Sequence, residues 1–145
     1  IAAMEHHPLM RVFRPGKTVY SLLESTLIRR VNGEGTVVSN TLSVSTKELK
    51  TRGRKILRDL DRQKVSIVES TFTTGGGSSP DESCPSLSIS IQVDKRPEEV
   101  LRTLRNATPP IIGTISADKA HLNLATIQND EIPHVREQLQ KILGG

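Results

Sequence analysis

Leu87-Ser88-Ile89-Ser90-Ile91 alternates apolar and polar side chains, the two-residue period of a strand that buries one face. Val65 and Ile67 repeat that spacing upstream, so two strands are expected on either side of a loop from Thr71 to Pro85. Downstream, Pro97 suits a helix first turn and Glu98-Glu99 suit its positive end, with Val100, Leu101 and Leu104 facing inward and Asn106 to Pro110 stopping the helix. Ile111 to Ile115 and Ala120 to Leu124 read as two strands joined in a hairpin at Ser116-Ala117-Asp118-Lys119. A last helix, capped by Asn129 or Asp130, bears Ile132, Val135, Leu139 and Ile142 and ends at Gly144-Gly145.

Upstream of the first strand, Ser45 and Glu48 form a capping box: the hydroxyl takes an early amide and the carboxylate reaches back, so a helix starts at about residue 46. Leu49, Ile56, Leu57 and Leu60 are its apolar stripe, and Gly53 weakens it by about 1 kcal/mol relative to alanine unless close packing requires it. Val37 to Val44 is expected to carry a short strand after the turn-rich 31–36. Residues 18–30 read as a helix, with Val19, Leu22, Leu23 and Leu27 at three- to four-residue steps and Arg29-Arg30 at its negative end. The order describes an α+β fold, a small mostly antiparallel sheet with helices packed on one face.

At 145 residues the chain can bury one core, and length favours a single domain. The single cysteine, Cys84, allows no internal disulfide, which points to a reducing cytoplasm. As a catalytic thiol it is poorly placed, because it follows Asp81-Glu82-Ser83 and neighbouring acids oppose thiolate formation. No apolar run approaches the roughly 20 residues that span a bilayer, and the start shows no signal or transit pattern, so a soluble protein with no membrane partner is expected. His6 and His7 are adjacent and lack further ligands at metal spacing, so no metal site is expected.

Net charge is +4, and Lys47, Lys50, Arg52, Arg54, Lys55, Arg58, Arg62 and Lys64 crowd one stretch. Such a helix can track an RNA backbone, but with 2% aromatic residues there are few platforms for base stacking. Interleaved Glu48, Asp59 and Asp61 favour a solvated face instead. Gly75-Gly76-Gly77-Ser78 invites a phosphate-loop reading but lacks the Gly-Lys-Ser/Thr ending, which favours a flexible linker.

The segment His7-Pro8-Leu9-Met10-Arg11-Val12-Phe13-Arg14-Pro15-Gly16-Lys17 sets two guanidiniums three residues apart beside apolar Met10 and Phe13. Arginine holds its charge and matches phosphate or carboxylate oxygens bidentately, so the pair is a candidate anion clamp, the alternative being two solvated arginines. Pro15 disfavours the α region at Arg14, so the clamp is expected to be an extended or turn segment leading into the helix.

With its continuation through Tyr20, Leu23-Glu24-Ser25-Thr26-Leu27, this segment resembles bacterial selenocysteine synthases, the L-seryl-tRNA(Sec) selenium transferases, whose "PLMRALR…K, T-x-x-x-LEATL" pattern follows the pyridoxal-phosphate lysine. Val65 to Thr71 with Gly75-Gly76-Gly77-Ser78 and Pro85-Ser86 is similar to the family's strand and "GGGSLP…LPS" block. Pro109-Pro110-Ile111-Ile112-Gly113-Thr114-Ile115 with Leu122-Asn123-Leu124 is similar to its "PPVIGRI…LLLDLRT" block. The region before the second helix departs from the family, which has a longer approach and a more apolar strand there.

The resemblance implies the C-terminal small domain of an aspartate-aminotransferase-like (fold type I) pyridoxal 5'-phosphate enzyme. Residues 1–17 would end the large domain with its active-site arginine segment, and residues 18–145 would be the small domain. The chain opens at Ile1 without an initiator methionine, so a fragment is expected, inactive alone, with the cofactor lysine, the phosphate pocket and a tRNA-binding N-terminal region outside it. The implied whole enzyme is a large ring-like cytoplasmic homo-oligomer that converts seryl-tRNA(Sec) to selenocysteinyl-tRNA(Sec) with selenophosphate, and Arg11 and Arg14 match its donor-binding pair. Two other readings remain: a related pyridoxal-phosphate lyase or transferase acting on a small amino acid or amino sugar phosphate, and a non-catalytic RNA-binding or assembly module.

Overall fold

A computed structural model of the chain describes residues 7–12, 14–73 and 83–144. The glycine-rich 75–77 loop, Phe13 and His6 lie outside the described residues. Packing divides the chain into two compact units, Ile1–Asn40 and Thr41–Gly145.

In the first unit a short 3-10 turn, Pro8–Arg11, precedes helix α1 (Lys17–Val31), which matches the expected span. Arg29 and Arg30 lie in its last turn, and Arg29 Nε donates to Glu34 Oε2 at 3.0 Å. Every residue of α1 is exposed, including Val19, Tyr20, Leu22, Leu23, Leu27, Ile28 and Val31.

Helix α2 (Val37–Ser43) spans the division between the units and stands where a strand was expected. β-branched residues favour strands only weakly, and a local cap prevails here. Thr36 Oγ1 accepts from Ser39 N at 3.1 Å while Ser39 Oγ accepts from Thr36 N at 2.8 Å. This reciprocal pair satisfies two amides in the manner of a capping box, with serine in the place usually held by Glu or Gln. Asn40 N then donates to Thr36 O at 2.9 Å and begins the helical ladder.

The second unit runs α3 (Thr46–Ile56), β1 (Val65–Thr73), β2 (Ser83–Ile91), α4 (Pro97–Arg105), β3 (Thr114–Ser116), β4 (Lys119–Asn123) and α5 (Ile132–Gly144). The sheet order is β1-β2-β4-β3 with every pair antiparallel. The fold is therefore α+β, as expected. Register opposes Val65 to Ile91, Ile67 to Ile89, Ile89 to Leu122 and Ala120 to Ile115, so the apolar set of each strand shares one face. Against that face pack Leu49, Ile56 and Leu57 of α3 and its end, Leu101 and Leu104 of α4, and Val135, Leu139 and Ile142 of α5.

Several boundaries differ from expectation. β1 and β2 extend to Thr73 and Ser83, inside the span expected to be loop, because pairing continues through Thr71–Pro85 and Phe72–Cys84. Ile111 is not in a strand: its N–H donates to Leu104 O at 3.0 Å, tying it to the end of α4 and burying it there. Asn123 ends β4, because its Oδ1 accepts from Ala125 N at 3.0 Å and turns the chain. Neither Asn129 nor Asp130 starts α5; Glu131 O accepts from Val135 N at 3.0 Å, and the Glu131 carboxylate accepts from Gln128 N at 2.7 Å. The expected hairpin is present, with Ala117 (φ 47°) and Asp118 (φ 56°) both left-handed as its two-residue turn requires.

Two glycines are set by close approach. A Cβ on Gly53 would lie 2.8 Å from Ile67 Cδ1 and from Leu124 Cδ1, so this is the point where α3 comes nearest the sheet. A Cβ on Gly113 would lie 2.6 Å from the backbone oxygen of His121.

Candidate functional site

The arginine segment is shaped locally. Pro8 occupies the first position of its 3-10 turn, where a missing N–H costs nothing, and His7 Nδ1 accepts from Leu9 N at 3.3 Å as a cap. Met10 N donates to His7 O at 2.9 Å and Val12 N to Leu9 O at 3.0 Å. Arg11 thus closes a short turn ahead of the helix, the turn form of the extended or turn segment expected, and its side chain lies outside what is described. Arg14 is exposed in the connection before Pro15, outside any helix as expected, and takes part in no ion pair among the described residues. Gly16, extended at φ −72° and ψ 164°, is the N-cap of α1. Arg11 and Arg14 therefore stand three positions apart on one short segment between His7 and Gly16.

The second cationic feature is α3. Leu49, Arg52, Gly53 and Ile56 are buried, while Lys47, Lys50, Arg54 and Lys55 are exposed. Ser45 caps the helix as expected, its Oγ accepting from Glu48 N at 3.2 Å. The Glu48 carboxylate accepts instead from Arg52 Nη2, at 3.3 Å. Arg52 is itself a correction to a solvated basic face: it is 6% exposed, and its Nη1 donates to the carbonyls of Leu124 and Ile127.

The third feature is the polar face of the sheet. Ser86, Ser88 and Ser90 alternate with the core residues of β2 and are buried. Ser88 Oγ donates to Ser70 Oγ at 2.8 Å and Ser86 Oγ to Asn123 Oδ1 at 2.7 Å. A concavity of about 670 Å³ lies over this face, lined among others by Ser70, Phe72, Ser88, Thr114, His121 and Asn123. His121 Nε2 is 3.1 Å from Ser116 O, so the imidazole is engaged within the hairpin. Cys84 is a half-buried free thiol on the same face. Among the described residues no group of three or more His, Cys, Asp or Glu side chains is placed to hold a metal. No described helix is long and apolar enough to cross a membrane.

A small antiparallel sheet covered by helices on one face, preceded in the chain by a helix and an arginine turn, fits the small domain of a pyridoxal-phosphate enzyme. Residues 1–128 match the family SelA, L-seryl-tRNA selenium transferase, and the chain belongs to that family. It is 28% identical over 149 residues to the L-seryl-tRNA(Sec) selenium transferase of Aquifex aeolicus, covering 99% of this chain and 33% of the relative. The enzymes of the same name from Geobacter sulfurreducens and Carboxydothermus hydrogenoformans are each 29% identical, covering 96% and 100% of this chain and 32% and 33% of those proteins. The chain spans about a third of the length of these curated relatives.

Proposed function

We propose that this chain is the C-terminal part of a pyridoxal-phosphate-dependent selenium transferase that makes selenocysteinyl-tRNA(Sec) from seryl-tRNA(Sec) and selenophosphate. In that reading Arg11 and Arg14 bind the phosphate of the selenium donor. The observation that carries it is the arginine turn, Pro8–Arg11 followed by Arg14, inside a chain whose first 128 residues match the transferase family. The serine carboxylate is esterified to tRNA, so no guanidinium is needed to hold it, and the pair is free for the second, dianionic substrate. Two arginines satisfy three phosphoryl oxygens through charge-assisted bonds that neither lysine nor a neutral donor reproduces.

The resemblance places the Schiff-base lysine ahead of the arginine segment, whereas the first of this chain's eight lysines, Lys17, follows it. The cofactor and its lysine therefore belong, in this proposal, to the part of the polypeptide that the relatives have and this chain does not span. The exposed apolar residues of α1 support the same view, because a helix apolar around so much of its circumference is normally buried. The 145 residues alone would be inactive, and the assembled enzyme would be a cytoplasmic homo-oligomer.

The test uses the complete protein. Arg11→Ala and Arg14→Ala are expected to raise the KM for selenophosphate by at least about tenfold each, the loss of one charge-assisted bond, while leaving the KM for seryl-tRNA(Sec) in place. Unchanged donor KM and turnover in both variants would remove the arginines from the reaction.

A further inference from the structure

We propose that the exposed face of α3 bearing Lys47, Lys50, Arg54 and Lys55 binds the phosphodiester backbone of a folded RNA, which on the reading above is the substrate tRNA.

The geometry separates two faces of one helix. Leu49, Arg52, Gly53 and Ile56 point into the core. Lys47, Lys50 and Arg54 follow at steps of three and four, which stacks them along the opposite side at about 5–6 Å spacing, with Lys55 at the edge. That is a row of cations on a rigid support, suited to successive phosphates.

The acids that interleave with these cations in sequence do not neutralise them. Glu48, itself exposed, is paired with the buried Arg52 at 3.3 Å. Asp59 is paired with Arg136 at 2.7 Å and lies 3.8 Å from Arg58. Asp61 Oδ1 accepts from Gln63 N at 2.9 Å. Among the described residues none of Lys47, Lys50, Arg54 or Lys55 takes part in an ion pair.

No aromatic side chain lies on α3, so the face has donors and charge but no surface on which a base can stack. It therefore recognises backbone rather than sequence, and its contribution comes from release of condensed counterions. A duplex arm of a tRNA, with phosphates at regular intervals, has the matching chemistry.

The experiment measures anisotropy of fluorescein-labelled, non-aminoacylated tRNA(Sec) titrated with the complete protein across roughly 50–300 mM KCl. Two variants of equal charge change are compared, both checked for native circular dichroism. One is the triple Lys47→Gln, Lys50→Gln, Arg54→Gln; the other is the triple Lys95→Gln, Arg102→Gln, Lys119→Gln, elsewhere on the same unit. The α3 variant is expected to lose at least about tenfold in affinity and to lower the slope of log affinity against log salt by about two to three, while the second variant binds as the parent does. Equal losses in both variants, no loss in the α3 variant, or no measurable binding by the parent protein would each overturn the proposal. This readout is independent of Arg11 and Arg14. Selenophosphate KM in the complete protein tests the transferase reading, and tRNA affinity of the α3 variant tests this surface.

Discussion

Arg52 Nη1, on α3, donates to the carbonyl oxygen of Leu124 at 2.9 Å across 72 positions of the chain. The same nitrogen donates to Ile127 O, so one guanidinium closes the two carbonyls that follow β4 and pins α3 over the sheet. Its Nε is buried and has no partner among the described residues, so the group is held at some desolvation cost. Replacing it with methionine keeps the bulk but leaves two buried carbonyls unsatisfied, and the Arg52→Met chain is expected to lose about 2–4 kcal/mol of stability. Urea denaturation followed by far-ultraviolet circular dichroism measures this; a loss below about 0.5 kcal/mol would mean that water replaces the guanidinium freely.

Gly53 and Gly113 look alike in sequence but differ in what a side chain would strike. At Gly53 the obstacles are the Cδ1 atoms of Ile67 and Leu124, which can shift slightly. At Gly113 one obstacle is the backbone oxygen of His121, held in the β4 ladder. In Gly53→Ala, overpacking of about 1–3 kcal/mol is offset by about 1 kcal/mol of helix propensity. Gly113→Ala has no such offset. Thermal unfolding of the two variants is expected to place Gly113→Ala clearly below Gly53→Ala, and the reverse order would refute the packing argument.

Much of the fold was legible because its signals are local. The Leu87-Ser88-Ile89-Ser90-Ile91 alternation, the Ser45 cap and the Ser116–Lys119 hairpin each involve neighbours in sequence, and each stands where it was read. The helix at Val37–Ser43 was missed because its cap, Thr36 with Ser39, uses a serine where a glutamate would have signalled it. The fate of Arg52 depends on carbonyls more than 70 positions away, which no local pattern announces. In the arginine segment, His7-Pro8 was the available signal for the turn, with His7 as its cap and Pro8 at its first position. Which cations of 47–64 stay unpaired was not legible, because the positions of Glu48 and Asp59 decide it.

Glu137 and Lys141 on α5 provide a surface pair whose pH dependence has a definite sign. Lys141 Nζ lies 2.7 Å from Glu137 Oε1, and the hydrogen bond and charge of Lys141 hold the Glu137 carboxyl below its ordinary value, with His134 adding to the effect. A carboxylate whose folded pKa is depressed stabilises the fold above its unfolded pKa and loses that contribution as pH falls through the folded value. The pair is fully solvated, so the effect is small and screened by salt. Glu137→Gln is therefore expected to lower the midpoint of urea unfolding slightly at neutral pH and not at all once pH falls below the depressed Glu137 value, with the difference shrinking in high salt. A difference between variant and parent that persisted unchanged on the acid side would show that Glu137 acts through packing on α5 rather than through its charge.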